Sequence, residues 1–218
     1  MVNVELKFKY SNIAVFRIVE FKNKSYILDP TTIKGKSYFF GSLPKEVTAE
    51  MVELSLSNDS FEIKSKTKIG TTTISIMVQP FVALLYRAME SAFISMGLSQ
   101  QIFMKSILFV LSMILAYLGA VYYEKNSRRN ALSRIPEKSK RYRVKFKPNG
   151  KRNPVLLFGF LLNIICFGFF MGINDGSEGA VLVINGLIST FFFFIARMPT
   201  ISSSCRNKEL IPVEIEGI

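Results

Sequence analysis

The sequence contains no histidine. The side chain that most often acts as a general base or metal ligand near neutral pH is absent, which weakens every catalytic reading. Its two cysteines, Cys166 and Cys205, are too few for a disulfide framework or a thiolate metal site. Cys166 lies in an apolar stretch and reads as a small hydrophobe. The opening MVNVELKFKY alternates polar and apolar residues without a continuous apolar run, so it is not expected to be a signal peptide. Paired carboxylates, a Ser-Lys or Ser-His arrangement and internal repeats are missing as well. No catalytic, cofactor-binding or metal-binding constellation is expected.

What the chain does contain is apolar length, and basic charge in one place. Between Tyr123 and Asn153 stand twelve Lys or Arg residues against two acids. Apolar stretches flank this segment on both sides. A helix needs about 20 mostly apolar residues to cross a bilayer core, and four stretches qualify: roughly 72–96, 102–123, 154–173 and 180–198. Positive charge in short loops resists translocation, which places the basic loop 124–153 in the cytoplasm. The net charge of +12 comes mostly from that loop, whose own balance is +10. Nucleic acid is not an expected partner, because no aromatic-interleaved basic face accompanies the charge. Anionic lipid headgroups are, since Lys and Arg close to a membrane are attracted at about 1 kcal/mol each. Asn174 to Gly179 holds Asp175 and Glu178 with no basic residue and reads as an outside loop. The tail 199–218 carries Arg206 and Lys208 beside three acids and reads as inside.

Residues 1–69 hold eleven basic and eight acidic residues and form a separate polar segment. Val2, Val4, Leu6 and Phe8 alternate with polar residues as a half-buried strand would. Ile13 to Phe21 and Ser25 to Leu28 flank Lys22-Asn23-Lys24, which predicts a hairpin. Asp29-Pro30 should end the second strand. EVTAEMVELSL, with Val47, Met51 and Leu54 at helical spacing, predicts a short helix, and Phe61 to Lys68 a closing strand. In the basic loop, RYRVKFKP alternates Tyr142, Val144 and Phe146 and is able to extend the same sheet. The fold class is therefore membrane α-helical, with four transmembrane helices (five possible) and a small N-terminal β-rich cytoplasmic domain.

The run FRIVEFKNKSYILDP, followed by YFFGSLPKEVT, resembles the opening of the tandem five-transmembrane proteins of Gram-positive bacteria. KIGTTTISIMVQPFVALLYRAM is similar to that family's first conserved span, and RYRVKFKP to the end of its basic loop. The resemblance implies an immunity protein in the cell membrane, whose partner is a membrane-depolarising toxin exported by type VII secretion. The chain departs from the family in having four spans. The only further apolar segment at the place of a fifth span, Ser37 to Leu43, is about a third of the length required.

Candidate contact residues lie inside the spans. Arg87 and Glu90 share a helical face in the first span, where ionisable groups are costly. They are read as a patch that meets a toxin, as an internal pair, or as the mark of a span that ends earlier so that Arg87 snorkels to the interface. Gln79-Pro80 opens the helix, either as a kink or as a re-entrant element. Gly168 and Gly172 form a small-xxx-small pair that admits another helix, from a partner or from this chain. Asn163, Asn185, Ser189 and Thr190 are placed to hydrogen-bond across spans. Alternatives to immunity are a small transporter or channel, and a membrane-anchored accessory protein. The transporter should carry inverted repeats with discontinuous helices.

Overall fold

The computed structural model describes the backbone of residues 5–13, 15–55, 59–63 and 71–218, and side chains for all of these except 71–79 and 81. The chain divides into two compact units. One comprises 1–64, 120–158 and 194–218; the other comprises 65–119 and 159–193.

The first unit is built on a six-stranded antiparallel sheet in sequence order: β1 (Lys7–Tyr10), β2 (Arg17–Phe21), β3 (Lys24–Lys34), β4 (Val47–Glu53), β5 (Arg141–Pro148) and β6 (Leu210–Gly217). The predicted hairpin forms between β2 and β3, with Phe21 paired to Lys24. Lys22 and Asn23 both take positive φ, 49° and 59°. Two left-handed residues match the twist of the flanking strands, which is why such a loop closes a tight hairpin. Val2 and Val4 lie outside the described residues, as do residues 64–68 of the predicted closing strand. The first residues of that run do not form a strand, because Asp59–Phe61 is a 3-10 turn.

Two local expectations are corrected. β3 does not stop at Asp29-Pro30 but continues to Lys34, with its register against β4 shifting between Asp29 and Lys34. Proline cannot donate to the ladder, and side chains take over there. Thr31 N–H donates to Asp29 Oδ1 at 2.9 Å, and Glu50 N–H to Thr32 Oγ1 at 2.9 Å. The second correction is the helix expected at 47–54, which is strand β4. Its residues are buried on both faces, including Val47, Ala49, Met51 and Val52. Val47, Ala49 and Met51 alternate with Thr48 and Glu50 as strand residues do, but Val47, Met51 and Leu54 also fit helical spacing, so a run this short is ambiguous by periodicity alone.

β5 pairs with β4 from Val47–Phe146 to Val52–Arg141, so the basic loop does extend the sheet. The segment after Met198, for which no element was expected, forms α5 (Ile201–Arg206) and then β6 on the far side of β5. Phe16, Ile27, Phe61 and Ala131 belong to one apolar cluster of this unit.

The helices are α1 (Thr71–Ser95), α2 (Ile102–Leu132), α3 (Val155–Gly172) and α4 (Glu178–Arg197). Among the described residues, α2, α3 and α4 are long and apolar enough to cross a membrane. Little of their apolar surface is covered within the chain. Phe103, Phe158, Phe169 and Phe191 are each more than 60% exposed, an arrangement that suits hydrocarbon far better than water. At about 1.5 Å per residue α2 is roughly 46 Å long, more than a bilayer core needs. Its last turns continue into the first unit, where Ala131 is fully buried and Arg128 meets Asp29 at 3.5 Å.

Candidate functional site

The polar residues of the helical unit fall into two groups. The first joins the start of α2 to the loop between α3 and α4. Lys105, in the first turn of α2, is fully buried, and its ammonium donates to Ile173 O at 2.6 Å and Asn174 Oδ1 at 3.1 Å. The carboxylate of Glu178, also fully buried, lies 3.7 Å from the same nitrogen. Glu178 Oε2 accepts the Gly176 N–H at 2.7 Å. Both charges are placed with the helix dipoles: the cation sits just past the C-terminus of α3 and the anion on the first residue of α4. The Phe170 ring lies 5.3 Å from the ammonium and adds to its stabilisation. Glu178 is thus not a free charge of an outside loop, and of the two acids there only Asp175 is exposed.

The second group lies along the helices. Ser189 Oγ on α4 donates to Asn163 Oδ1 on α3 at 2.5 Å, and Asn185 Nδ2 on α4 donates to Ser112 Oγ on α2 at 3.2 Å. Asn163, Asn185 and Ser189 therefore do bond between helices, as their positions suggested. Thr190 instead donates to Gly186 O one turn back in its own helix. Gly159 provides a close approach that was not anticipated: a Cβ there would stand 3.0 Å from the Phe192 ring. The aromatic core of this unit, with Phe93, Phe109 and Phe170, also takes in Cys166, which packs as a hydrophobe.

The candidate contact residues are distributed differently. Gln79 lies in α1, but its side chain is outside the described residues. Pro80 is exposed inside α1, which runs from Thr71 to Ser95 as one element. Arg87 is exposed and Glu90 half-buried. Among the described residues no ion pair joins them. Among the described residues, Gly168 and Gly172 face open space: a Cβ at either would meet nothing within 4 Å. With Ile165, Phe169 and Ile173 they line a shallow apolar groove on α3. Among the described residues, no helix of this chain is seated on them.

In the sheet unit, Glu53 accepts from Lys24 Nζ at 2.6 Å and from Tyr142 Oη at 2.9 Å. These bonds, the lysine's first, hold its carboxyl below the ordinary value. Burial pushes the Cys205 thiol up to about 12, so it is a poor nucleophile. The buried Lys105–Glu178 pair escaped sequence reasoning because its partners stand 73 positions apart. The available signal was a lone lysine at the start of an apolar span and a lone glutamate at the start of another. The sequence matches no protein-family model, and no curated protein or solved structure is similar to it.

Proposed function

We propose that this chain is a four-span protein of the cell membrane that neutralises a membrane-depolarising toxin by binding it within the bilayer, without a catalytic step. The toxin class, a substrate of type VII secretion, comes from the resemblance to the tandem five-transmembrane proteins. The observation that carries the binding reading is the face of α3 at Gly168 and Gly172, which is open among the described residues. Helices associate in lipid through close backbone approach, which small residues permit. Asn163, Asn185, Ser189 and Lys105 are already engaged inside the unit, which leaves this face for a partner.

The sheet supports the four-span topology. β4, β5 and β6 are hydrogen-bonded neighbours, so residues 47–53, 141–148 and 210–217 must lie on one side of any membrane. The chain between β4 and β5 then crosses an even number of times. If α2 crosses, a second crossing is required, and α1, with 25 residues, has the length for it. The same parity pairs α3 with α4 between β5 and β6. The basic loop contributes β5, and the positive-inside rule puts that shared side in the cytoplasm.

The test is to co-express the chain with each candidate toxin encoded beside it, titrate the two, and follow membrane potential. Protection should fall once toxin exceeds this chain, and the toxin should co-purify in detergent. Protection by a trace amount against excess toxin, without co-purification, would contradict direct binding.

A further inference from the structure

The segment from Lys36 to Leu43, far too short to span, is held beside the ends of two membrane helices. Lys36 to Phe40 form a 3-10 turn bounded by Gly35 and Gly41, both left-handed, at φ 79° and 85°. Its shape is fixed: Gly41 N–H donates to Tyr38 O at 3.0 Å, and a Cβ on Gly35 would stand 2.7 Å from Glu46 O. Lys36 Nζ donates at 2.7 Å to the carbonyl of Arg197, the last residue of α4. At the other end, a Cβ on Gly41 would lie 3.6 Å from Pro154, the residue before α3 begins. The turn is therefore pinned where α4 ends and α3 starts.

Its aromatic and aliphatic side chains divide into two sets. Tyr38 and Phe39 are buried, at 0% and 2% exposure, and fill the unit's interior. Phe40 and Leu43 are turned away from it, at 48% and 46%. Gly41, between them in sequence, stands beside Pro154, and the first turn of α3 that follows presents Val155 and Phe158 outward at 37% and 63%. The exposed apolar surface at the start of α3 is thus followed by exposed apolar side chains on the turn beside it.

We infer that this turn is an interfacial membrane anchor, with Phe40 and Leu43 seated in the headgroup–acyl boundary of the cytoplasmic leaflet. Apolar groups of this kind insert about 5–10 Å and bind through the area they remove from water. Two such side chains on a rigid turn lose little entropy on insertion. The anchor would hold the sheet unit against the lipid surface. The inference rests on the reading that α3 crosses a bilayer.

The test uses the full chain with Cys166→Ala and Cys205→Ser, reconstituted into phosphatidylglycerol-containing vesicles. An environment-sensitive fluorophore is placed singly at Phe40→Cys, Leu43→Cys, Asn23→Cys or Phe158→Cys. Spin-labelled lipids then quench from a shallow or a deep acyl position. At positions 40 and 43 the emission should shift to the blue, with shallow quenching exceeding deep by at least about twofold, as insertion at the boundary requires. The label at 23, in the β2–β3 turn, should stay aqueous and quenched by iodide. Lipid quenching at 158 with iodide-accessible labels at 40 and 43 would overturn the anchor and leave the span intact. Absence of lipid quenching at 158 would remove the span and the anchor with it.

Discussion

Lys105 and Glu178 form a pair that neither side chain can leave cheaply. Each is fully buried, and removing one leaves the other as an uncompensated charge. Breaking a buried ion pair costs about 3–5 kcal/mol, whereas replacing both partners with uncharged residues is often nearly neutral. Lys105→Met or Glu178→Gln alone should lower the thermal unfolding midpoint in detergent sharply, and the double variant should recover most of the loss. A loss in the double variant equal to the sum of the two single losses would mean that the side chains act independently. The Lys24–Glu53–Tyr142 cluster of the sheet predicts a pH dependence instead. The carboxyl of Glu53 is depressed, so its contribution is present above the unfolded carboxylate value and is lost as pH falls through the folded one. The Lys24 ammonium is raised by the same bond, so its contribution is lost only as pH rises through the raised lysine value. Stability from the cluster should therefore be flat through neutrality and fall at both extremes. Glu53→Gln should flatten the acid limb in a pH series of unfolding midpoints.

At the level of elements, legibility followed the clarity of the local pattern. The β2–β3 hairpin was readable because Lys22 and Asn23 interrupt two β-rich runs. RYRVKFKP was readable because Tyr142, Val144 and Phe146 alternate. β4 was misread because Val47, Met51 and Leu54 fit a helix by spacing, although Val47, Ala49 and Met51 also alternate with Thr48 and Glu50. β6 was missed because Pro212 and two glutamates suggest a solvated tail, yet the outermost strand tolerates both. Three of the four expected spans, now α2, α3 and α4, were legible from apolar length, but their internal partners were not, since Ser189 and Asn163 meet only through packing. The Gly168–Gly172 face yields a separable prediction. Because nothing among the described residues lies within 4 Å of either Cβ position, Gly168→Ile with Gly172→Ile should fold and insert at normal abundance. Protection against the toxin and its co-purification should nevertheless fall at least about tenfold, the effect of losing about 1.4 kcal/mol of binding. Full protection by that variant would move the contact elsewhere. Gly159→Ile, by contrast, should reduce abundance itself, since its Cβ already meets the Phe192 ring at 3.0 Å.

At the scale of the whole molecule, the deciding constraint is a sheet assembled from three distant stretches of chain. β1 to β4, β5 and β6 are hydrogen-bonded in one order, and between them run segments that carry the membrane helices. Hydrogen bonds between adjacent strands cannot reach across a bilayer, so crossings must come in pairs. This links a coarse property, topology, to individual pairings such as Val144–Ile215 and Ala49–Val144. It also favours four spans over five. The most direct test is membrane-impermeant thiol labelling of intact cells, in a background of Cys166→Ala and Cys205→Ser. Single cysteines are introduced as Asn23→Cys, Gln101→Cys, Lys138→Cys, Ser177→Cys and Ile218→Cys. The four-span account predicts labelling from outside at 101 and 177, and labelling at 23, 138 and 218 only after the membrane is opened. Labelling of 138 or 218 from outside, or protection of 101 while 177 reacts, would contradict it.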